Sequence, residues 1–341
     1  MTLKFSRPDA SLRLFGAFVV LGGLCLSPLL TRAQGTDPKP PVPAGYKIIE
    51  GDIQVPLGFQ PGDPASKAVY TTGSLWGNGV VPYEFDSNVT AENQTHAIDA
   101  MALWEAEANI NFRPRGLLDT SFVHFQNSTQ NNSPVGPQPF GNTINIFNWH
   151  QPYTIAHELG HTLGFWHEQS RPDRDSYIRI ETANILSGEE HNFEKQNDAS
   201  FYGPYDFDSV MHYGACDFTS CASCTPTNPA CRTITVLQPY HAQWQSAIGQ
   251  REHFSKWDSL VMSFLYPYGS WRFLDKNYTG FIESGTFKEP YKGLDRALSE
   301  TPQGGTIWIE RPATYTVQRN QTLTKPLTLQ APLGDVTFAV P

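Results

Sequence analysis

The sequence predicts an α+β protein, and two observations support this class. Segments Val80–Phe85, 122–125 and 144–147 alternate apolar and polar side chains, which is typical of half-buried strands. Residues 91–108 instead repeat apolar side chains at helical spacing. We expect a twisted sheet with helices in one lobe, a more irregular lobe after Gly164, and a cleft between the two.

The N-terminal segment 1–33 has the pattern of a secretory signal. Basic residues precede an apolar stretch at 14–30, and the small residue Ala33 follows shortly after it. We therefore expect export, cleavage after Ala33 and no membrane contact after signal removal; a retained membrane anchor is the alternative. No other segment is long and apolar enough to span a bilayer.

The segment 91–108 is predicted to form an amphipathic helix. Ala97, Met101, Trp104 and Ala108 recur at intervals of three or four residues, so they lie on one helical face. We expect this face to be buried.

Residues 157–168 carry three histidines and a glutamate at the spacing of a catalytic zinc site. His157 and His161 are four residues apart, so on a helix both rings project from one face and can bind one ion. Glu158 stands beside the first ligand, where it can reach a water on the metal but not the metal itself. This placement suits a general base.

Gly164 lies three residues past His161, where a left-handed glycine can end the helix and turn the chain back. His167 would then arrive as a third ligand. Three protein ligands leave one position open for water, which indicates a catalytic site. A pair of histidines at this spacing also occurs by chance on solvated helices, but the added glycine and third histidine make that alternative negligible.

These residues, with two further motifs, resemble the astacin family of metzincin zinc endopeptidases. The first motif is 168–175, directly behind the third histidine, and the second is 209–214, which contains Met211 and Tyr213. A glutamate after the third histidine and a tyrosine two residues after the methionine separate astacins from other metzincins. The resemblance covers residues 74–268 and implies a two-lobed, zincin-like catalytic domain with zinc in its central cleft.

The resemblance also implies the roles of the motif residues. His157, His161 and His167 would bind one catalytic Zn²⁺, and Glu158 would be general base and then acid. Tyr213 would be a hinged extra ligand that leaves the zinc to hydrogen-bond the oxyanion.

Met211 would form an apolar floor under the ligating rings, although a methionine taken alone is more often ordinary core. The predicted activity is a secreted zinc endopeptidase that hydrolyses protein or peptide substrates. The alternative is a zinc-containing matrix- or polysaccharide-binding protein with little protease activity, which would be expected to lack Glu158 or to close the fourth zinc position.

Residues 34–73 are interpreted as a propeptide, because this Pro- and Gly-punctuated segment is too poor in apolar periodicity to form its own core. The resemblance implies that Asp52, in a Gly-Asp pair, occupies the water position of the zinc and keeps the precursor latent. A turn aspartate is the alternative. An activating protease would cut between Val55 and Thr72, and the resemblance implies that the new N-terminus lies near Glu168.

Four of the five cysteines, Cys216, Cys221, Cys224 and Cys231, lie in one short segment. An even number of cysteines close together in an exported protein predicts two disulfides, and four cysteines can pair in three ways. A second, structural zinc is the alternative, because Cys221 and Cys224 have C-x-x-C spacing. The usual cysteines of the resembled family lie elsewhere.

Residues 269–341 are predicted to form a β-rich extension. Short alternating segments at 304–309, 325–329 and 336–338 follow a helical segment at 294–298, and together they resemble the cap and first turns of a right-handed parallel β-helix. Such a solenoid normally needs about three or more turns, so a small β appendage is the alternative. We also predict contact of this extension with an extracellular matrix or cell wall.

Charge and the remaining histidines add little. The formal net charge of -9 argues against a nucleic-acid partner. Core or surface roles, without metal binding, are predicted for the seven histidines outside the zinc motif. They are His96, His124, His150, His191, His212, His241 and His253.

Overall fold

The computed structural model describes residues 3–4, 44–58, 75–197, 200–317 and 325–339. The predicted signal at 1–33 lies outside the described residues, except for the short strand Leu3–Lys4. By their contacts the residues divide into two compact units, with the break between Pro267 and Tyr268. Within the described residues, no helix has the length and apolar character that crossing a membrane requires.

The described residues form helices and many short strands. The helices are α1 Ala91–Glu107, α2 Pro152–Leu163, α3 His241–Trp244, α4 Lys256–Leu265 and α5 Leu294–Glu300. The strands are β1 Leu3–Lys4, β2 Tyr46–Ile49, β3 Ile53–Pro56, β4 Val80–Phe85, β5 Asn111–Pro114, β6 Val123–Asn127, β7 Ser133–Pro134, β8 Asn142–Ile146, β9 Ile178–Ile180, β10 Ile234–Val236, β11 Trp271–Leu274, β12 Thr306–Ile309, β13 Thr314–Thr316, β14 Thr328–Gln330 and β15 Thr337–Ala339.

The main sheet of the larger unit has four parallel strands in the order β5-β4-β6-β8. Val81, Phe125 and Ile144 are fully buried on these strands, as the alternating pattern predicts. The predicted strand bounds are correct for β4 and differ by one or two residues for β6 and β8. Strand β8 leads through a short loop into α2.

Helix α1 packs against α2 through the face that the sequence predicts. Ala97, Met101 and Trp104 are buried. The indole N–H of Trp104 donates to the carbonyl of Ala156 at 2.8 Å, which fixes α1 on the helix of the zinc motif. The side chain of Thr90 caps the start of α1 by accepting a backbone hydrogen bond.

The segment before the sheet is more ordered than the sequence suggests. Strands β2 and β3 form an antiparallel hairpin, and β3 also pairs in parallel with β7. Ile53 and Val55 are buried. The hairpin therefore gains its order from pairing with a distant strand, which local periodicity cannot reveal.

The irregular lobe after Gly164 is held by an aromatic core and two disulfides. Cys216 is bonded to Cys224, and Cys221 to Cys231, so the two loops overlap. The disulfide prediction is confirmed, and the alternative of a second, structural zinc at these cysteines is wrong.

The C-terminal unit contains parallel strands around its own core. Strands β11, β12 and β14 form one parallel sheet, and β13 and β15 pair in parallel in another. Leu274, Ile307 and Phe338 belong to a buried cluster with residues of α5. The predicted helix and strands are present, while the resemblance to a β-helix remains a prediction.

Candidate metal centre

Helix α2 presents two histidines on one buried face, as their spacing predicts. His157 and His161 are 2% and 0% exposed, and their Nε2 atoms lie 3.2 Å apart. The helix ends at Gly164, which has a φ of 119° and donates its N–H to the carbonyl of His161. Residues with a side chain rarely adopt this φ, which explains the glycine.

His167 completes the cluster after this turn. Its Nε2 lies 3.4 Å from Nε2 of His157, and its ring centroid lies 4.7 Å from that of His161. The structure therefore brings together the three predicted histidines, from the helix and from the irregular chain that follows it.

Each imidazole uses Nδ1 in a hydrogen bond outside the cluster. Nδ1 of His157 lies 2.8 Å from the carbonyl oxygen of Val210, and Nδ1 of His161 lies 2.7 Å from that of Phe165. A carbonyl only accepts, so in these two rings Nδ1 carries the proton and Nε2 holds a lone pair. The third ring points its Nδ1 at Oε2 of Glu50, 2.9 Å away.

The donor set fits a zinc ion. Lone pairs of two Nε2 atoms 3.2 Å apart repel each other unless a cation lies between them. Asp52 adds a carboxylate, with Oδ2 3.2 Å from Nε2 of His157 and Oδ1 3.2 Å from Nε2 of His167. Three imidazoles and one carboxylate are a set that Zn²⁺ accepts.

Glu158 lies buried beside these donors, with 1% of its surface exposed. Its Oε2 has no hydrogen-bond partner among the described residues. Burial raises the pKa of Glu158 well above its usual value, and the negative charge of Asp52 adds to this effect. One oxygen of the carboxyl group can thus exchange a proton with a molecule in the cleft.

Met211 lies beneath α2 at a point of close approach. Its sulfur would lie 2.9 Å from a Cβ at Gly160, so a larger residue there would force the methionine side chain to move. Asp258 in α4 holds the chain just before Met211 in place. Its carboxylate accepts hydrogen bonds from the Ser209 hydroxyl at 2.7 Å and from the Val210 N–H at 2.8 Å.

Tyr213 packs against the third histidine, with its ring centroid 4.6 Å from that of His167. Its backbone N–H donates to Oε1 of Gln169 at 3.0 Å. Its hydroxyl donates to the backbone carbonyl of Glu50, two residues before Asp52. The hydroxyl therefore binds the N-terminal hairpin in this structure.

Glu168, which follows the third histidine in the chain, lines a small cavity of about 20 Å³. Its Oε1 accepts from the guanidinium of Arg171 and from the N–H of Asp206, both at 2.8 Å. Burial raises the pKa of Glu168 to about 7; burial and then the charge of Asp258 raise the pKa of Asp206 to about 8. Three carboxyl groups thus share this cavity with one guanidinium.

A second group of donors was missed in the sequence. Glu92, His96 and His150 each offer a ligand atom, and these atoms lie within 4.8 Å of one another. The spacing of four residues between Glu92 and His96 was an available signal. The third member comes from a distant loop, so its approach could not be predicted.

Comparison with known proteins agrees with the site. Residues 68–267 match the family model for astacin, a family of peptidases. The chain is 29% identical over 274 residues to zinc metalloproteinase nas-39 of Caenorhabditis elegans, covering 77% of this chain and 28% of that protein. It is 30% identical over 269 residues to meprin A subunit beta of Rattus norvegicus, covering 75% of this chain and 35% of that protein. The match thus spans about a third of the length of these relatives.

A solved structure shows the same fold. High choriolytic enzyme 1, a hatching enzyme zinc-protease from Oryzias latipes, superposes with a TM-score of 0.50 and 29% sequence identity, covering 61% of this chain and 98% of that one. The family match takes in more than half of the chain, including the whole of the histidine motif. The chain therefore belongs to the astacin family of peptidases.

Proposed function

We propose that this protein is a zinc-dependent endopeptidase made as a latent precursor. The observation that carries the proposal is the convergence of three histidine Nε2 atoms beside the buried carboxyl group of Glu158. A zinc ion held by His157, His161 and His167 would lower the pKa of water towards about 7 and polarise the scissile carbonyl.

Glu158 would act as the general base and acid. Its Oε2 would accept a proton from water during attack on the peptide and later deliver that proton to the leaving amine. The absence of a hydrogen-bond partner for this oxygen among the described residues supports the role, because no competing donor holds it.

Tyr213 would stabilise the oxyanion by donating a hydrogen bond. In the present arrangement its hydroxyl is occupied by the carbonyl of Glu50. One hydroxyl proton cannot serve both acceptors, so removal of the hairpin would free Tyr213 for catalysis. Met211 would support the ligating rings from beneath α2.

The hairpin β2–β3 would act as the latency segment of a propeptide spanning 34–73. Asp52 contacts the histidine cluster directly, and Glu50 contacts both the third histidine and Tyr213. One short turn therefore occupies three parts of the site: the zinc donors, the third ring and the oxyanion donor.

The turn is fastened from the opposite side by the segment that contains Asn192 and Gln196. The N–H of Gly51 donates to Oδ1 of Asn192 at 2.8 Å, and Nε2 of Gln196 donates to Oε1 of Glu50 at 2.5 Å. Gly51 has a φ of 75°, and a Cβ there would collide with the ring of Phe218. These contacts hold the turn in one position over the histidine cluster.

Activation would follow cleavage between Val55 and Thr72, a stretch largely outside the described residues. The new terminal ammonium would enter the cavity beside Glu168. Burial raises the pKa of Glu168 and Asp206, two of the three carboxyl groups that line that cavity, so a terminal ammonium beside them would favour their charged forms and be paired by them.

Export by the segment 1–33 is part of the proposal. Two disulfides in the described part of the chain suit an oxidising compartment. Contact of residues 269–341 with an extracellular matrix or cell wall is also proposed, and only the sequence pattern supports it.

The decisive experiment measures hydrolysis of denatured casein and a quenched peptide library before and after limited cleavage, with and without a zinc chelator. We expect activity only after cleavage and its loss on chelation. The Glu158→Gln protein, cleaved and zinc-loaded, is the control for contaminating protease. No hydrolysis by the verified, zinc-loaded mature protein would overturn the proposal and favour a binding role.

A further inference from the structure

The first two turns of α1 present a carboxylate and an imidazole on the same face. Glu92 and His96 are four residues apart, the spacing that lets two helical side chains grip one ion. This pair lies at the edge of the buried face of α1, because Glu92 is exposed and His96 is half-buried.

A third donor reaches the pair from another part of the chain. His150 lies two residues before the start of α2, and its ring centroid is 5.0 Å from that of His96 in an edge-on arrangement. One ligand atom from each of the three side chains lies within 4.8 Å of the other two. Small side-chain rotations would bring these atoms to the separations of a shared ion.

The polar atoms of these three side chains have no polar partner among the described residues, although Glu92 lies in the first turn of α1, where a carboxylate favours the helix dipole. Glu92, His96 and His150 form no side-chain hydrogen bond or ion pair there, and Nδ1 of His96 is buried without a hydrogen-bond partner. The second indication of a ligand is the nitrogen of His96, which is buried and unsatisfied beside the exposed carboxylate and imidazole of the other two residues.

We propose that Glu92, His96 and His150 form a second metal site, separate from the catalytic cluster. Two imidazoles and one carboxylate favour a borderline dication such as Zn²⁺, Ni²⁺ or Cu²⁺ over Ca²⁺ or Mg²⁺, which prefer oxygen ligands. Glu92 and His150 are exposed, so water would reach such an ion and complete its coordination.

Occupation of the site would link α1 to the loop that leads into α2. Glu92 and His96 belong to α1, whereas His150 precedes α2, which carries His157 and His161. A metal ion binding only the folded arrangement stabilises it by mass action. The effect is therefore a saturable rise in melting temperature, beyond the rise that catalytic zinc produces.

The test begins from the zinc-loaded full chain and adds Ni²⁺ or Cu²⁺ in equilibrium dialysis, with metal content measured by mass spectrometry. We expect a second metal equivalent per chain. His96→Gln and His150→Gln should each lose the second equivalent and keep the first. His241→Gln, which alters a half-buried helical histidine elsewhere, should keep both.

Two further readouts keep the test decisive. Electron paramagnetic resonance of Cu²⁺ added to the zinc-loaded chain should show nitrogen ligation that both histidine variants lose. Circular dichroism before metal addition checks that the variants are folded. A single equivalent in the wild type, or an unchanged second equivalent in the two variants, would overturn the proposal.

Discussion

Nδ1 of His167 lies 2.9 Å from Oε2 of Glu50, so a buried residue of the N-terminal hairpin orients one of the three clustered imidazoles. A carboxylate at the outer nitrogen of a metal-binding histidine fixes the ring and increases its basicity. Glu50 provides this support only while the hairpin is in place, because it lies outside the chain that would remain after activation.

Removing the carboxylate of Asp52 is expected to weaken latency. We predict that the uncleaved Asp52→Ala protein hydrolyses peptide measurably, because the histidine cluster loses the only hairpin carboxylate in contact with its Nε2 atoms among the described residues. Glu50→Gln should have a smaller effect of the same sign. The measurement is the rate of quenched-peptide hydrolysis by the intact precursor.

Leu57→Ala is the matched control for these hairpin variants, because Leu57 ends the same hairpin and is 63% exposed. It should remain as latent as the wild type. Equal latency of Asp52→Ala and wild type would show that Asp52 is only a turn residue.

Glu158→Gln should abolish turnover by the mature protein and leave zinc binding intact. Glutamine cannot accept the proton from water, and loss of a general base typically costs about a hundredfold to ten-thousandfold in rate. The check is kcat together with zinc content per chain. Full activity in this variant would contradict the proposed role of Glu158 as general base.

Tyr213→Phe should lower kcat by about a hundredfold to a thousandfold, the usual cost of one lost oxyanion donor. Zinc content and KM should change little, because the ring stays in contact with His167. Steady-state kinetics on one peptide separates the two parameters. An unchanged kcat would assign Tyr213 a structural role.

Arg171→Met should reduce the free energy of unfolding by about 3–5 kcal/mol, the usual effect of removing one partner of a buried ion pair. Arg171 is 2% exposed, and its loss leaves the carboxyl group of Glu168 buried without the guanidinium. Urea unfolding followed by tryptophan fluorescence measures the change. Arg179→Met is the control, because the Arg179–Glu181 pair is exposed to solvent and its loss should matter little.

The carboxyl group of Asp206 should lower the stability of the precursor as the pH rises from about 4 to about 8. Burial raises the pKa of Asp206 to about 8 in the folded chain, whereas an unfolded aspartate has a pKa near 3.9. The folded state therefore holds a proton that the unfolded state has released, and raising the pH favours unfolding. Urea midpoints across this range measure the slope.

Asp206→Asn should flatten that slope in the precursor. If the mature N-terminus supplies an ammonium to the cavity, the wild-type mature protein should also show a flatter slope than its precursor. The same slope in the Asp206→Asn and wild-type precursors would assign the pH dependence to other groups.

Local sequence patterns predicted those parts of the fold that depend on interactions between neighbouring residues. Helix α1, strand β4 and the left-handed turn at Gly164 follow from periodicity and from glycine geometry, and all three are observed. The convergence of three histidines was also predictable, because a helical turn and one glycine set most of their spacing.

Contacts between distant segments were not predictable from such patterns. Glu50 and His167 are separated by 117 positions, and nothing in the sequence around either residue predicts their contact. The pairing of β3 with Ser133–Pro134 and the approach of His150 to α1 have the same origin. The disulfide connectivity was likewise left open, because three pairings satisfy the same spacing.

The pairing of the β2–β3 hairpin with β7 has a kinetic consequence. A cut beyond Pro56 would leave the hairpin intact and attached only by hydrogen bonds and packing. Its effective concentration would then fall from that of a tethered segment to that of a free peptide. Recovery of activity would depend on dilution, and the released peptide, added back, would inhibit in proportion to its own concentration.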